Sequence, residues 1–250
     1  MKRLELALCL ISVSVVSLVP LFAGAPVKMG TVAPVNELAA EAEAKIAAIE
    51  AGLASADSYS QGKKAISGDA GVLAVLAQAV AEHDGSAAWK KTAADVRDAA
   101  IALSNAKTYD EAKKSLESVK AAQGGKPGGA KADADWSKLA KLGAVMTEIN
   151  RRHGKLRRAT KKAPADSGEA TRDASVLAVL AVVAQADTHE VKSGKAADVA
   201  KWQSYSKDMQ ANATKAADAL RKKDDAAFKE TFTILNKSCA DCHKDFRDAE

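Results

Sequence analysis

Along residues 139–156 the positions Leu139, Leu142, Met146, Ile149, His153 and Leu156 recur at steps of three and four. That spacing draws one inward stripe down a helix. The C-terminal segment repeats it with Phe228, Phe232, Leu235, Cys239, Cys242 and Phe246, which turns both cysteines toward an interior. Breaks fall at Ala163-Pro164, Ser193-Gly194 and Lys222-Lys223-Asp224. The pattern predicts four helices, at about 134–162, 169–190, 195–221 and 224–248. Connections this short make consecutive helices antiparallel neighbours, so the expected architecture is an up-down four-helix bundle.

The unit is anticipated upstream. Residues 69–77 and 173–181 agree at eight of nine positions at an offset of 104, differing only at Gly71 and Ser175. Each is followed by a tryptophan (Trp89, Trp202) and, six residues on, an aspartate (Asp95, Asp208). A helical run rich in alanine can recur by chance; the tryptophan and aspartate in matching order point to duplication. Between the copies, Gln123-Gly124-Gly125-Lys126-Pro127-Gly128-Gly129 reads as a helix stop and flexible linker. Two all-α domains are expected, 30–123 and 131–250, joined by 124–130. Composition agrees, since 56 of the 250 residues are alanine, which costs no side-chain entropy in a helix.

Lys2 and Arg3 precede an uncharged apolar stretch from Leu6 to Val27, with small residues at Ala23-Gly24-Ala25. This is the layout of a secretory signal peptide over residues 1–25; an uncleaved membrane anchor is the alternative. Either reading carries the rest of the chain out of the cytoplasm, into a periplasm-like compartment. The net charge of +5 is spread among acids along the helices, without the aromatic-interleaved basic patch of a nucleic-acid binder.

Cys9 lies within the signal, leaving Cys239 and Cys242. Three residues apart, they staple no distant segments, contrary to the usual use of cysteine in exported proteins. They open Cys239-Ala240-Asp241-Cys242-His243, the attachment pattern of c-type haem. Two thiols on one helical face can each add to a porphyrin vinyl group, and the adjoining imidazole can reach the iron. A redox dithiol wants a βαβ context, and a structural zinc wants four ligands. A local disulfide leaves His243 unexplained. In the first copy Gln123, Lys126 and Pro127 stand opposite Cys239, Cys242 and His243, so that copy is expected to be haemless.

The four-helix pattern, C-x-x-C-H near the end of the fourth helix and the continuation Lys244-Asp245-Phe246-Arg247 make the second domain resemble the cytochrome c′ family. The resemblance implies an exported monohaem bundle, often dimeric, with a distal residue on its first helix. Members with an apolar distal residue are five-coordinate and bind NO or CO; low-spin relatives use methionine and transfer electrons. His153-Gly154-Lys155-Leu156 is similar to a family segment about two turns beyond the distal position. Counting back seven gives Met146 as sixth ligand, with Leu139 the rival one heptad earlier and His153 a further candidate. Arg247, one turn after His243, is expected to face a haem propionate.

His83 and His189 fall at helix ends and are expected to face solvent. Arg151, Arg152, Lys155, Arg157, Arg158, Lys161 and Lys162 form a basic run with no acid among residues 149–163. Such a run usually solvates a face; the sharper expectation is a docking surface at Arg151–Lys162 for an acidic redox partner. The leading expectation is a monohaem electron carrier with no substrate turnover. Its rivals are a five-coordinate NO or CO binder and a haemless structural bundle with a Cys239–Cys242 disulfide. A haemless first domain would stand in for the second subunit of a dimer, making an internal pseudo-dimer, unless the chain itself dimerises.

Overall fold

The computed structural model describes residues 27–162 and 167–247. The expected signal peptide, the Ala163-Pro164 break and the last three residues lie outside the described residues. Among the described residues the chain is all-α, with α1 Val35–Gly52, α2 Ala56–Glu82, α3 Ala93–Asn105, α4 Tyr109–Gln123, α5 Leu142–Lys161, α6 Ser167–Ala186, α7 Ala196–Arg221 and α8 Asp225–Phe246. Each set of four closes on itself: α1 packs on α2 and α4, and α3 on α2 and α4. In the second set α5 packs on α6 and α8, and α7 on α6 and α8.

Local chemistry sets the turns. Ser55 caps α2 by accepting from the Ser58 amide at 3.1 Å, and Thr108 with Glu111 forms a capping box on α4. Asp224 caps α8 by accepting from the Ala227 amide at 2.9 Å. Each cap satisfies one of the amides a helix start leaves without a partner. After α4 the chain turns through Gly125 at φ 87°, where the Lys126 and Gly125 amides reach back to the carbonyls of Ala121 and Ala122. This left-handed C-terminal cap suits glycine. The linker is then tied down, because the Ala130 amide donates to Asp95 at 2.8 Å and Arg97 donates to the carbonyls of Lys131 and Ala132.

Two boundaries differ from the sequence pattern. The first helix of the second set begins at Leu142 instead of near 134. Trp136 is drawn into the core, its indole donating to Glu82 of α2 at 3.0 Å, and Leu139 and Ala140 are buried before the helix starts. Tertiary packing here overrides a helical period. The sixth helix stops at Ala186, four residues early. Asp187 accepts from the His189 amide at 3.2 Å, and Trp202 donates to the Ala184 carbonyl at 2.6 Å. His83 is a third correction, since it is buried, with Nε2 on the Ala33 carbonyl at 2.9 Å and Nδ1 accepting from Gly85 at 2.8 Å. His189 is solvent-facing as expected.

The matching nonapeptides lie in α2 and α6, the two most buried helices. A helix apolar on every side must be surrounded, and these two are covered by their own bundles and by each other. The two sets share one continuous core. Where they meet, α2 touches α5 and α6, and α1 touches α6. The contact is laced with charge. Arg152 is 1% exposed and donates to Glu148 at 2.8 Å, to Asp173 at 2.7 Å and to Glu41 of α1. Lys45 of α1 pairs with Asp69 at 2.5 Å and with Glu148 of α5 at 3.1 Å. Beside them, Ser175 donates to Glu37 at 2.5 Å, and Arg221 binds the same carboxylate at 2.8 Å. At Gly71 a Cβ would come within 3.1 Å of Ala140.

Candidate functional site

Because α5 and α8 are antiparallel neighbours, the start of one lies beside the end of the other. Their junction with α7 encloses a cavity of about 730 Å³, within the range that holds a sizeable organic ligand. From α8, Cys239, Cys242, His243 and Phe246 line it; from α5, Leu142, Met146, Ile149 and His153. The helical period places Cys239 and Cys242 on one side of α8, as the apolar stripe anticipates. Phe228, Phe232 and Leu235, one to three turns earlier, are buried and anchor that face. Burial pushes both thiols up to about 11.

The sequence stripes ran along α5 and α8 and missed the third wall. Trp202, Tyr205 and Met209 of α7 complete the cavity. Trp202, singled out only as a repeat marker, packs edge-on against Phe246 with ring centroids 5.3 Å apart. Tyr205 meets Phe246 at 6.4 Å and donates its hydroxyl to Asp245 at 2.6 Å. Lys201 reaches the same carboxylate at 2.8 Å. The last turn of α8, which carries His243, is thereby latched to α7. Arg247 caps that turn through its amide on the His243 carbonyl at 2.9 Å, and its exposed side chain lies at the cavity rim.

Met146 is half-buried in the cavity wall. His153, also half-buried, is stacked on Phe232 at 5.0 Å, with its Nε2 buried and without a hydrogen-bond partner. Burial, then the charge of Arg157, holds its imidazole below the ordinary value, with Asn236 opposing. Leu139 is not brought to this site: it precedes α5 and lines a separate groove with Ile101 and Asp187. The apolar residues that α5 does offer are Leu142 and Ile149.

The basic run divides. Arg152 is buried in the ion network and cannot belong to a docking face, Arg151 is paired with Glu148 at 2.6 Å, and Lys155 with Glu169 at 2.6 Å. Arg157, Arg158, Lys161 and Lys162 remain exposed. The sequence hid this because Arg152's carboxylate partners Glu41 and Asp173 are remote in the chain.

The donors suit a covalently held haem: two thiols on one helical face, an imidazole directly after them, and walls of mixed character in which Leu142, Ile149, Trp202 and Phe246 stand with Asn150, Asn236 and Arg247, with one unpaired ring nitrogen. A family model described as cytochrome c′ matches residues 184–247, from the end of α6 through the C-x-x-C-H turn. The C-terminal part of the chain is therefore cytochrome c′-like, and that family implies a haem c protein. The match leaves α1 to α5 outside it. No curated protein and no solved structure matches the chain.

Proposed function

We propose that this protein is an exported, periplasmic monohaem c-type cytochrome that carries single electrons. The observation that carries the reading is the convergence of Cys239, Cys242 and His243 on one cavity, inside the segment matched by the cytochrome c′ family. Cys239 and Cys242 would hold the haem through two thioethers, each thiol adding across a vinyl group, and His243 and Met146 would ligate its iron. When bound, the haem supplies the Fe(III)/Fe(II) couple. The residues of the chain do the rest. Phe246, Trp202 and Leu142 exclude water, the latch through Asp245 fixes the turn that bears His243, and Arg247 faces a propionate. Exposed Arg157, Arg158, Lys161 and Lys162 steer an acidic redox partner, since opposite potentials speed encounter. The first four helices take the place of a second subunit, supported by the reciprocal contacts of α1 and α2 with α5 and α6.

A five-coordinate binder of NO or CO is the second reading, favoured by Leu142 and Ile149 standing beside Met146 in the wall. The deciding experiment is the optical spectrum of ferric and ferrous protein, made in a host with haem-attachment machinery, beside Met146→Ala. A low-spin spectrum whose far-red methionine-to-iron band is lost in the variant supports the electron carrier. A high-spin ferrous form that takes up CO and ignores the substitution supports the gas binder. Failure of the denatured protein to stain for covalent haem overturns both and leaves a structural bundle.

A further inference from the structure

The helix that supplies the distal wall of the cavity is not held by its own bundle alone. Glu148 lies between Met146 and His153 on α5, and four residues before Arg152. Both Glu148 and Arg152 are bound by the first half of the chain, Glu148 by Lys45 at 3.1 Å and Arg152 by Glu41. These contacts are buried, with Arg152 at 1%, Lys45 at 6% and Glu148 at 8% side-chain exposure. A buried ion pair has a sharp geometric optimum and leaves an uncompensated charge if either partner shifts. Two such pairs one turn apart fix both the rotation and the axial position of a helix. Apolar contact alone tolerates sliding. A different face of α5 carries Met146 and His153 to the cavity.

We propose that Glu41 and Lys45, in the half that lacks C-x-x-C-H, are positioning residues for the distal wall of the haem cavity. They set the register of α5 and through it the distance of Met146 from the iron. The first half thus acts on the cofactor without touching it. This rests on the haem reading for its spectral consequence; the mechanical one stands by itself.

The test uses the full chain with Glu41→Gln, Lys45→Met and both together. Lys120→Gln, which breaks the exposed Lys120–Glu50 pair between α4 and α1, serves as control. Hydrogen exchange followed by mass spectrometry reads the amides of residues 145–156. The double variant is expected to exchange there roughly tenfold faster than wild type, with α7 and the first turns of α8 changing far less, as a local opening does. In haem-loaded protein the same variant is expected to lose part of its low-spin ferric signal, and Lys120→Gln to keep it. Lys45→Met is the mild arm, because Glu148 retains Arg151 and Arg152, and it keeps the comparison open if Glu41→Gln unfolds the chain. Exchange that rises uniformly in all helices overturns the proposal, as does faster exchange in α5 beside an unchanged ferric spectrum. A wild type without covalent haem sinks the proposed function, while selective loosening of α5 in the variants still supports the positioning.

Discussion

Arg152 of α5 donates to Glu41 of α1, and Lys45 of α1 answers by pairing with Glu148 of α5. In each half a glutamate stands four residues before the cation, and an aspartate of the next helix, Asp69 or Asp173, completes the set. Each cation holds its own aspartate and the other half's glutamate. This is the pattern of a two-fold interface, in which one residue contacts a second and the second's counterpart contacts the first. Here it occurs within a single chain.

Removing the centre of that network is expected to be severe. Arg152→Met leaves Glu41, Glu148 and Asp173 facing one another without their main cation, and breaking a buried pair in this way costs about 3–5 kcal/mol. Urea unfolding reads it as a lower midpoint with little change in slope. A loss below about 1 kcal/mol would show that water already screens the cluster.

The same network sets an acid limb. Its cations, Arg151, Arg152 and Lys45, outweigh burial and hold the Glu148 carboxyl well below its ordinary value of 4.5. The unfolded chain therefore binds this proton first, and Glu148 contributes stability that is present above pH 4.5 and lost as pH falls below it. Burial raises Asp173 in spite of Arg152, so Asp173 acts in the opposite direction. Melting temperature against pH is expected to flatten in Glu148→Gln and to steepen on the acid side in Asp173→Asn.

A chain of residues 131–250 alone would bare the face of α6 and α5 that α1 and α2 cover. It is expected to dimerise through that face or to melt well below the full chain, as sedimentation and calorimetry would show. A monomer as stable as the whole would refute the idea that the first half replaces a subunit.

Tyr205→Phe removes the hydroxyl that binds Asp245 and keeps the ring against Phe246. The expected cost is about 1 kcal/mol or less, confined to the last turn of α8. Exchange of amides 243–247 should quicken while residues 228–239 stay protected.

Much of this was legible in the chain itself. The step of three and four that put Phe228, Phe232, Leu235, Cys239 and Cys242 on one side of α8 follows from helical geometry and from little else. The same spacing misled at Leu139, because a period of 3.6 says nothing of Trp136 being pulled toward Glu82 of a distant helix. Arg152 was hidden for a related reason. In one dimension it is one cation in a basic run; only folding brings it three carboxylates from three other positions. His83, placed in solvent by its turn-like neighbours, is buried because the Ala33 carbonyl arrives from fifty residues away.

The two nonapeptides in α2 and α6 differ at one position, and that position lies on the seam. Gly71 leaves room for Ala140 to come within 3.1 Å of where its Cβ would stand, while Ser175 offers a hydroxyl to Glu37. Exchanging the two residues would crowd one side and take from Glu37 one of its donors on the other, leaving it Arg221. The halves thus fit as key and lock instead of as interchangeable copies. A second C-terminal half in place of the first would put Ser175 where Gly71 makes room for Ala140, so any pairing of two such halves is expected to be weaker than the seam within one chain, which biases the chain toward closing on itself over recruiting a twin.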